Sequence, residues 1–125
     1  ITATNGSVWI EETDAYKANQ INSKQSGKEV PGLTLDDFVK QQGITRIDLF
    51  KVNIEGAEEQ IINGMESSVN IINNFAISCH DFLFEEETQI RKTVKDYFQS
   101  KGFEVTEINT GNKYIDSWIY GKRKS

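Results

Sequence analysis

The sequence predicts an α/β fold: a sheet that is parallel at its centre and closed at one edge by an antiparallel hairpin. Three observations predict it. The apolar run Ile47-Asp48-Leu49-Phe50-Lys51-Val52-Asn53-Ile54 gives way within two residues to a segment where Ala57, Ile61 and Met65 recur every four positions. That change of period marks a strand feeding a helix. A second run, Phe75-Ala76-Ile77-Ser78-Cys79, is followed by Ile90, Val94, Tyr97 and Phe98 at helical spacing. Two alternating segments, Phe103 to Glu107 and Tyr114 to Tyr120, then flank Asn109-Thr110-Gly111-Asn112, whose residues suit a turn between antiparallel strands. Strand, helix, strand, helix and hairpin is the order in which a mixed sheet is wound.

A chain of 125 residues is about one domain with one core. Charged residues make up 26% and apolar residues 37%, a globular balance rather than a membranous or fibrous one. No apolar run nears the roughly 18 residues of a spanning helix. Nothing at the start reads as a signal peptide, so a cytoplasmic location is expected. The single cysteine, Cys79, excludes an internal disulfide and a multi-cysteine metal cluster. Net charge is −5, and the basic residues are mixed with acids until Lys122-Arg123-Lys124, so no nucleic-acid partner is expected. The chain opens on Ile1 and its one methionine is Met65; a piece of a longer polypeptide is expected.

The elements follow in order. Residues 1 to 30, rich in Asn, Ser, Thr, Lys and Gly, read as loosely organised, with one strand-like run, Ser7-Val8-Trp9-Ile10, after the turn dipeptide Asn5-Gly6. After Pro31-Gly32, Thr34 stands three residues before Asp37 as a variant capping box. Leu35, Phe38 and Val39 then share a face, which gives a short helix from about 35 to 42 ending at Gly43. The run 47 to 54 reads as a central strand covered on both faces. Glu85-Glu86-Glu87 supplies the charged start of a second long helix, from Glu86 to Lys101, that ends at Gly102.

In an open α/β sheet, ligands bind beyond the carboxyl ends of the strands. Asn53, Ile54 and Glu55 occupy such an end, and His80 and Asp81 follow the next strand. Neighbouring strands lie about 4.8 Å apart, so these residues share a rim. Two readings of Glu55-Gly56-Ala57-Glu58 stay open. The acids can complement the dipole of the helix they start, at about 0.3–1 kcal/mol each, with Gly56 allowing close packing. Alternatively they edge a ligand site. The first reading leaves Lys51 in an apolar strand without a reason.

Residues 34 to 65, "TLDDFVKQQGITRIDLFKVNIEGAEEQIINGM", resemble the hallmark of FkbM-type methyltransferases. There a Thr-Leu-Asp-Asp element precedes a strand reading Leu-Lys-Ile-Asp-Val-Glu-Gly-Ala-Glu and a helix closing on glycine. The likeness runs from about residue 4 to 122, with "FAISCHDF" as the next strand and "SWIYGKRK" as the last. It implies a class I, Rossmann-like, S-adenosylmethionine-dependent methyltransferase domain, with residues 1–125 as its later, C-terminal part. The acceptor implied is a small molecule or glycan: a hydroxyl of a sugar, glycolipid or polyketide. Lys51, Asn53, Glu55, Gly56 and Glu58 fall on hallmark positions, and the resemblance places Lys51 and Asn53 toward the cofactor. Asn53 stands where the family usually has Asp, and an amide cannot take a proton. The nine glycines form no Gly-x-Gly-x-x-Gly, so the main cofactor contacts are expected upstream of residue 1.

Methyl transfer to an alcohol needs alignment and a proton acceptor. His80 is the candidate base, with Asp81 or Glu55 to orient its ring; the alternative is a hydrogen-bonded histidine at a strand end. Glu55, Asp81 and Asn53 are oxygen ligands without a known metal spacing, and no metal is expected. Trp9, Phe82, Phe84 and Trp118 read as core before they read as stacking surfaces, and Cys79 as a small buried residue. The rival to an enzyme is a non-catalytic α/β interaction or dimerisation module, favoured by Asn53 and the missing glycine loop. Whichever holds, an unpaired edge along 47 to 54 predicts a homo-oligomer.

Overall fold

A computed structural model describes residues 1–10, 21–22, 27–83 and 89–125. In chain order the elements are β1 (Gly6–Ile10), β2 (Ile21–Asn22), β3 (Lys28–Gly32), α1 (Leu35–Gln42), β4 (Ile47–Val52), α2 (Glu58–Ile61), β5 (Ile72–Ser78), α3 (Ile90–Ser100), β6 (Phe103–Glu107), α4 (Lys113–Asp116) and β7 (Trp118–Arg123). Short 3₁₀ turns occupy Ile62–Gly64, Ser68–Ile71 and Asp81–Leu83. Two sheets result, ordered β2-β1-β3 and β4-β5-β7-β6. In the larger, β4 and β5 run parallel with Val52 opposite Ile77, while β7 is antiparallel to both β5 and β6. The mixed α/β sheet read from the sequence is present, with the terminal hairpin folded so that β7 lies inside β6.

The run 47 to 54 carries, among the described residues, the unpaired edge expected of it, and only one of its faces is covered rather than both. Among the described residues β4 is an edge, paired with β5 alone. Val52 is buried and Phe50 packs against the core, whereas Leu49 is 60% exposed and Lys51 faces outward. The alternation has a simple cause: α3 packs on one face of the sheet, so only that face needs to be apolar. Lys51 belongs to the open face, which explains a charge inside an apolar run.

The core lies under α3, whose Ile90, Val94 and Phe98 are buried at helical spacing. Phe75 stacks on Phe98 at 3.9 Å between centroids, and Phe103 meets the two rings edge-on at 5.6 and 5.2 Å. Phe75 lies flat across β7 because position 121 is glycine; a Cβ there would overlap the ring. Arg123 closes the far end. Its guanidinium covers Phe103 at 4.4 Å and donates to the carbonyls of Ile72, Lys101 and Val69.

Thr34 caps α1 as its sequence predicts, accepting from the Asp37 amide at 3.1 Å and donating to the Asp37 carboxylate at 2.9 Å. The left-handed Gly43 ends the helix. Asn5 completes the cap: its Oδ1 accepts from the Thr34 amide and its Nδ2 donates to Asp37. The described part of residues 1–30 is thus better organised than its composition implied, since Gly6–Ile10 pairs along its whole length with Lys28–Gly32. Pro31 and Gly32 lie inside β3, which among the described residues is an edge strand, where proline is tolerated.

Two further boundaries differ. Tyr114, Ile115 and Asp116 form a helical turn instead of strand. Asn112 Oδ1 accepts from the amides of Tyr114 and Ile115, and Asp116 accepts from those of Thr110 and Gly111; side chains compete here with strand pairing. The helix after β4 shortens to Glu58–Ile61 and tightens into the 3₁₀ turn at Ile62–Gly64, yet Ala57, Ile61 and Met65 are all buried as their spacing requires. Phe84, Glu85, Glu86 and Glu87 lie outside the described residues. Among the described residues no helix is long and apolar enough to cross a membrane.

Candidate active site at the ends of the parallel strands

Because β4 and β5 are parallel and in register, the residues after Val52 and after Ser78 emerge at one edge. Asn53, Glu55 and His80 line a crevice of about 640 Å³ together with Phe82, Tyr114 and Trp118. The shared rim expected from topology is therefore present.

The turn between β4 and α2 is unusual. Glu55 has φ +56° and Gly56 φ +103°; for a residue with a Cβ this left-handed conformation is uncommon and carries strain. The turn is held by Glu58, whose Oε1 accepts from the amides of Ile54 and Gly56, each at 3.2 Å. Glu58 is only 2% exposed. Its Oε1 also receives Nδ1 of His80, while its Oε2 has no hydrogen-bond partner among the described residues. His80 is 4% exposed, with Nε2 3.7 Å from Glu55 Oε2. Phe82 stands 5.5 Å from the imidazole and takes the edge of Tyr114 at 5.3 Å.

The two acids of the hallmark thus divide. Glu55 edges the crevice, and Glu58 turns back under the strand end. Its orientation was not foreseen, though a signal existed: Glu58 stands three residues before Ile61 and seven before Met65, on the apolar face of its own helix. A carboxylate in that stripe needs a buried partner.

Asp81, expected on the same rim, does not line this crevice: its carboxylate accepts from the amides of Ile90 and Arg91 at 2.9 and 3.0 Å, closing the start of α3. It faces a neighbouring crevice of about 440 Å³ with Cys79, Arg91 and Lys113. The carboxylate on His80 Nδ1 is that of Glu58. Lys51 lies on the open face of the sheet with Nζ 5.6 Å from the Trp118 ring centroid. Phe82 and Trp118, read as core, instead wall the crevice, and Trp9 is half-buried in β1. Cys79 is buried as expected; burial, then the nearby charges of Glu58 and Asp81, push its thiol up to about 12, which removes it as a nucleophile.

Among the described residues no three His, Cys, Asp or Glu side chains are grouped to hold a metal. The glycines with positive φ, at 6, 27, 43, 56, 102 and 111, are widely separated, so they form no continuous backbone cradle for the amino-acid end of a nucleoside cofactor.

A mixed sheet with a polar rim at the ends of its parallel pair is consistent with a methyltransferase-like fold. Residues 6–105 match the methyltransferase FkbM domain, and the chain belongs to that family. It is also similar to Methyltransferase sdnD of Sordaria araneosa, with 33% identity over 71 residues, 56% of this chain and 26% of the relative. The match thus spans about a quarter of that relative's length. No solved structure matches.

Proposed function

We propose that this chain is part of an S-adenosylmethionine-dependent methyltransferase acting on a hydroxyl of a sugar, glycolipid or polyketide, with the acceptor held in the larger crevice. One observation carries the reading: His80, with Nε2 3.7 Å from Glu55 Oε2, lines a single crevice together with Glu55, Asn53, Phe82, Tyr114 and Trp118. Aromatic faces give a ring-shaped acceptor a surface to lie on, and the polar side gives its hydroxyl three partners. His80 Nε2 accepts the hydroxyl proton, Glu55 stabilises the charge the ring gains, and the Asn53 amide orients the oxygen. S-adenosylmethionine, when bound, supplies the methyl group; Lys51 and Asn53 are the residues here proposed to lie toward it. Membership of the FkbM family and the relative's name support the activity, and a cytoplasmic location belongs to the same reading. The free edge of β4 supports a homo-oligomer, which sedimentation at rising concentration tests.

Calorimetry with S-adenosylhomocysteine on the complete gene product containing these residues tests the proposal. Saturable heat is expected, and its absence ends the enzyme reading. A non-catalytic interaction module is the second reading, favoured by the amide at Asn53 and the dispersed glycines; it predicts that absence.

A further inference from the structure

We infer that Glu58 is the positioning residue of this site: it fixes the imidazole proton of His80 on Nδ1 and leaves Nε2 bare toward the crevice. The catalytic consequence rests on the reading of His80 as the base, but the placement of the proton does not.

Three features support it. A carboxylate only accepts hydrogen bonds, so the contact of Glu58 Oε1 with Nδ1 requires the hydrogen to be on Nδ1. Next, three donors converge on that one oxygen, the amides of Ile54 and Gly56 and the His80 ring, while Oε2 has none among the described residues. An acid placed only to complement the start of α2 would meet solvent and the helix's own amides; this one is buried and reaches back to the strand end. Finally, the same oxygen holds the turn that forces Glu55 to φ +56° and sets Glu55 Oε2 3.7 Å from Nε2. One atom therefore organises both sides of the ring. It orients the proton on the far nitrogen and, through the strained turn, places on the near side a carboxylate able to receive the hydrogen that Nε2 gains. Strain of this kind persists where surrounding contacts over-determine it.

The chain has one histidine, so its imidazole nitrogens give one unambiguous pair of ¹⁵N signals. Long-range ¹H–¹⁵N correlation on the labelled chain, at a pH where the ring is neutral, is expected to show the Nδ1–H tautomer. In Glu58→Gln the amide oxygen takes the place of Oε1 and keeps all three donors, so Nδ1–H should persist; in Glu58→Leu Nδ1 loses its acceptor, and the hydrogen should move to Nε2, 3.7 Å from Glu55 Oε2. In a catalytic triad the wrong tautomer lowers kcat about 10⁴-fold. Here a fall in kcat of about 10²–10⁴-fold in the complete gene product carrying Glu58→Leu, with KM little changed, is expected. A wild-type spectrum showing Nε2–H overturns the inference even if the variants fail to fold, as does a folded Glu58→Leu that retains Nδ1–H. A tautomer that moves while methyl transfer is unchanged upholds the role of Glu58 and overturns His80 as the base.

Discussion

His80 donates Nδ1–H to Glu58 Oε1 across 22 residues of sequence, joining the end of β5 to the helix that follows β4. The contact is buried, so its worth lies in what its removal leaves behind. Glu58→Ala strips the acceptor from the ring and from the amides of Ile54 and Gly56. Breaking a buried polar pair on one side costs about 3–5 kcal/mol. Glu58→Gln, which keeps an oxygen for the amides, should cost only about 1–2 kcal/mol. Urea denaturation of the three proteins checks the order, and an alanine variant as stable as the glutamine one would contradict it.

The same pair shows how far sequence reasoning reaches. Parallel strands, the helix spacing of Ile90, Val94 and Phe98 and the cap at Thr34 were legible because each rests on local period or local hydrogen bonding. The rim of Asn53, Glu55 and His80 was legible because topology alone brings strand ends together. Side-chain direction was not. Glu58 and Asp81 each had two uses open to a carboxylate near a helix start, and only tertiary packing decided that Glu58 serves the ring while Asp81 closes α3. The strand expected at Tyr114 failed similarly, because the Asn112 cap and the Asp116 contacts outcompete a weak alternation.

Glu55 offers a test in which stability and activity separate. Its positive φ is one that glycine adopts without penalty. Glu55→Gly should leave stability unchanged or raise it by up to about 1 kcal/mol, while removing the carboxylate beside Nε2 and lowering kcat about tenfold or more. Thermal unfolding read together with methyl transfer checks this; full activity would show that Glu55 does not assist the ring.

Gly121 is required by a neighbour rather than by its own backbone. A methyl group there would overlap the Phe75 ring, which is itself locked between Phe98 and Phe103. Gly121→Ala should therefore cost about 2–3 kcal/mol by overpacking, and Phe75→Leu in the same chain should recover part of it, since the two changes share one space. Additive losses in the double variant would contradict the packing account.

Asp36 gives the chain an acid-sensitive joint. Partial burial pushes its carboxyl up, but the Ser68 hydroxyl and the amides of Ser67, Ser68 and Glu66 together outweigh burial and hold it below its ordinary value of 3.8. It receives the Ser68 amide at 2.7 Å and the Ser67 amide at 3.1 Å, and so ties α1 to the 3₁₀ turn that leads into β5. A carboxyl whose value is lower in the folded than in the unfolded chain contributes stability that is full above the unfolded value and disappears as pH falls through the folded one. Asp36→Asn should thus be less stable than wild type by about 1–2 kcal/mol at pH 7, discounted for its partial exposure. The gap should shrink once pH drops below about 4. Denaturation curves for both proteins between pH 7 and 3 measure it, and a gap that stays constant over that range would show that Asp36 acts through something other than its charge.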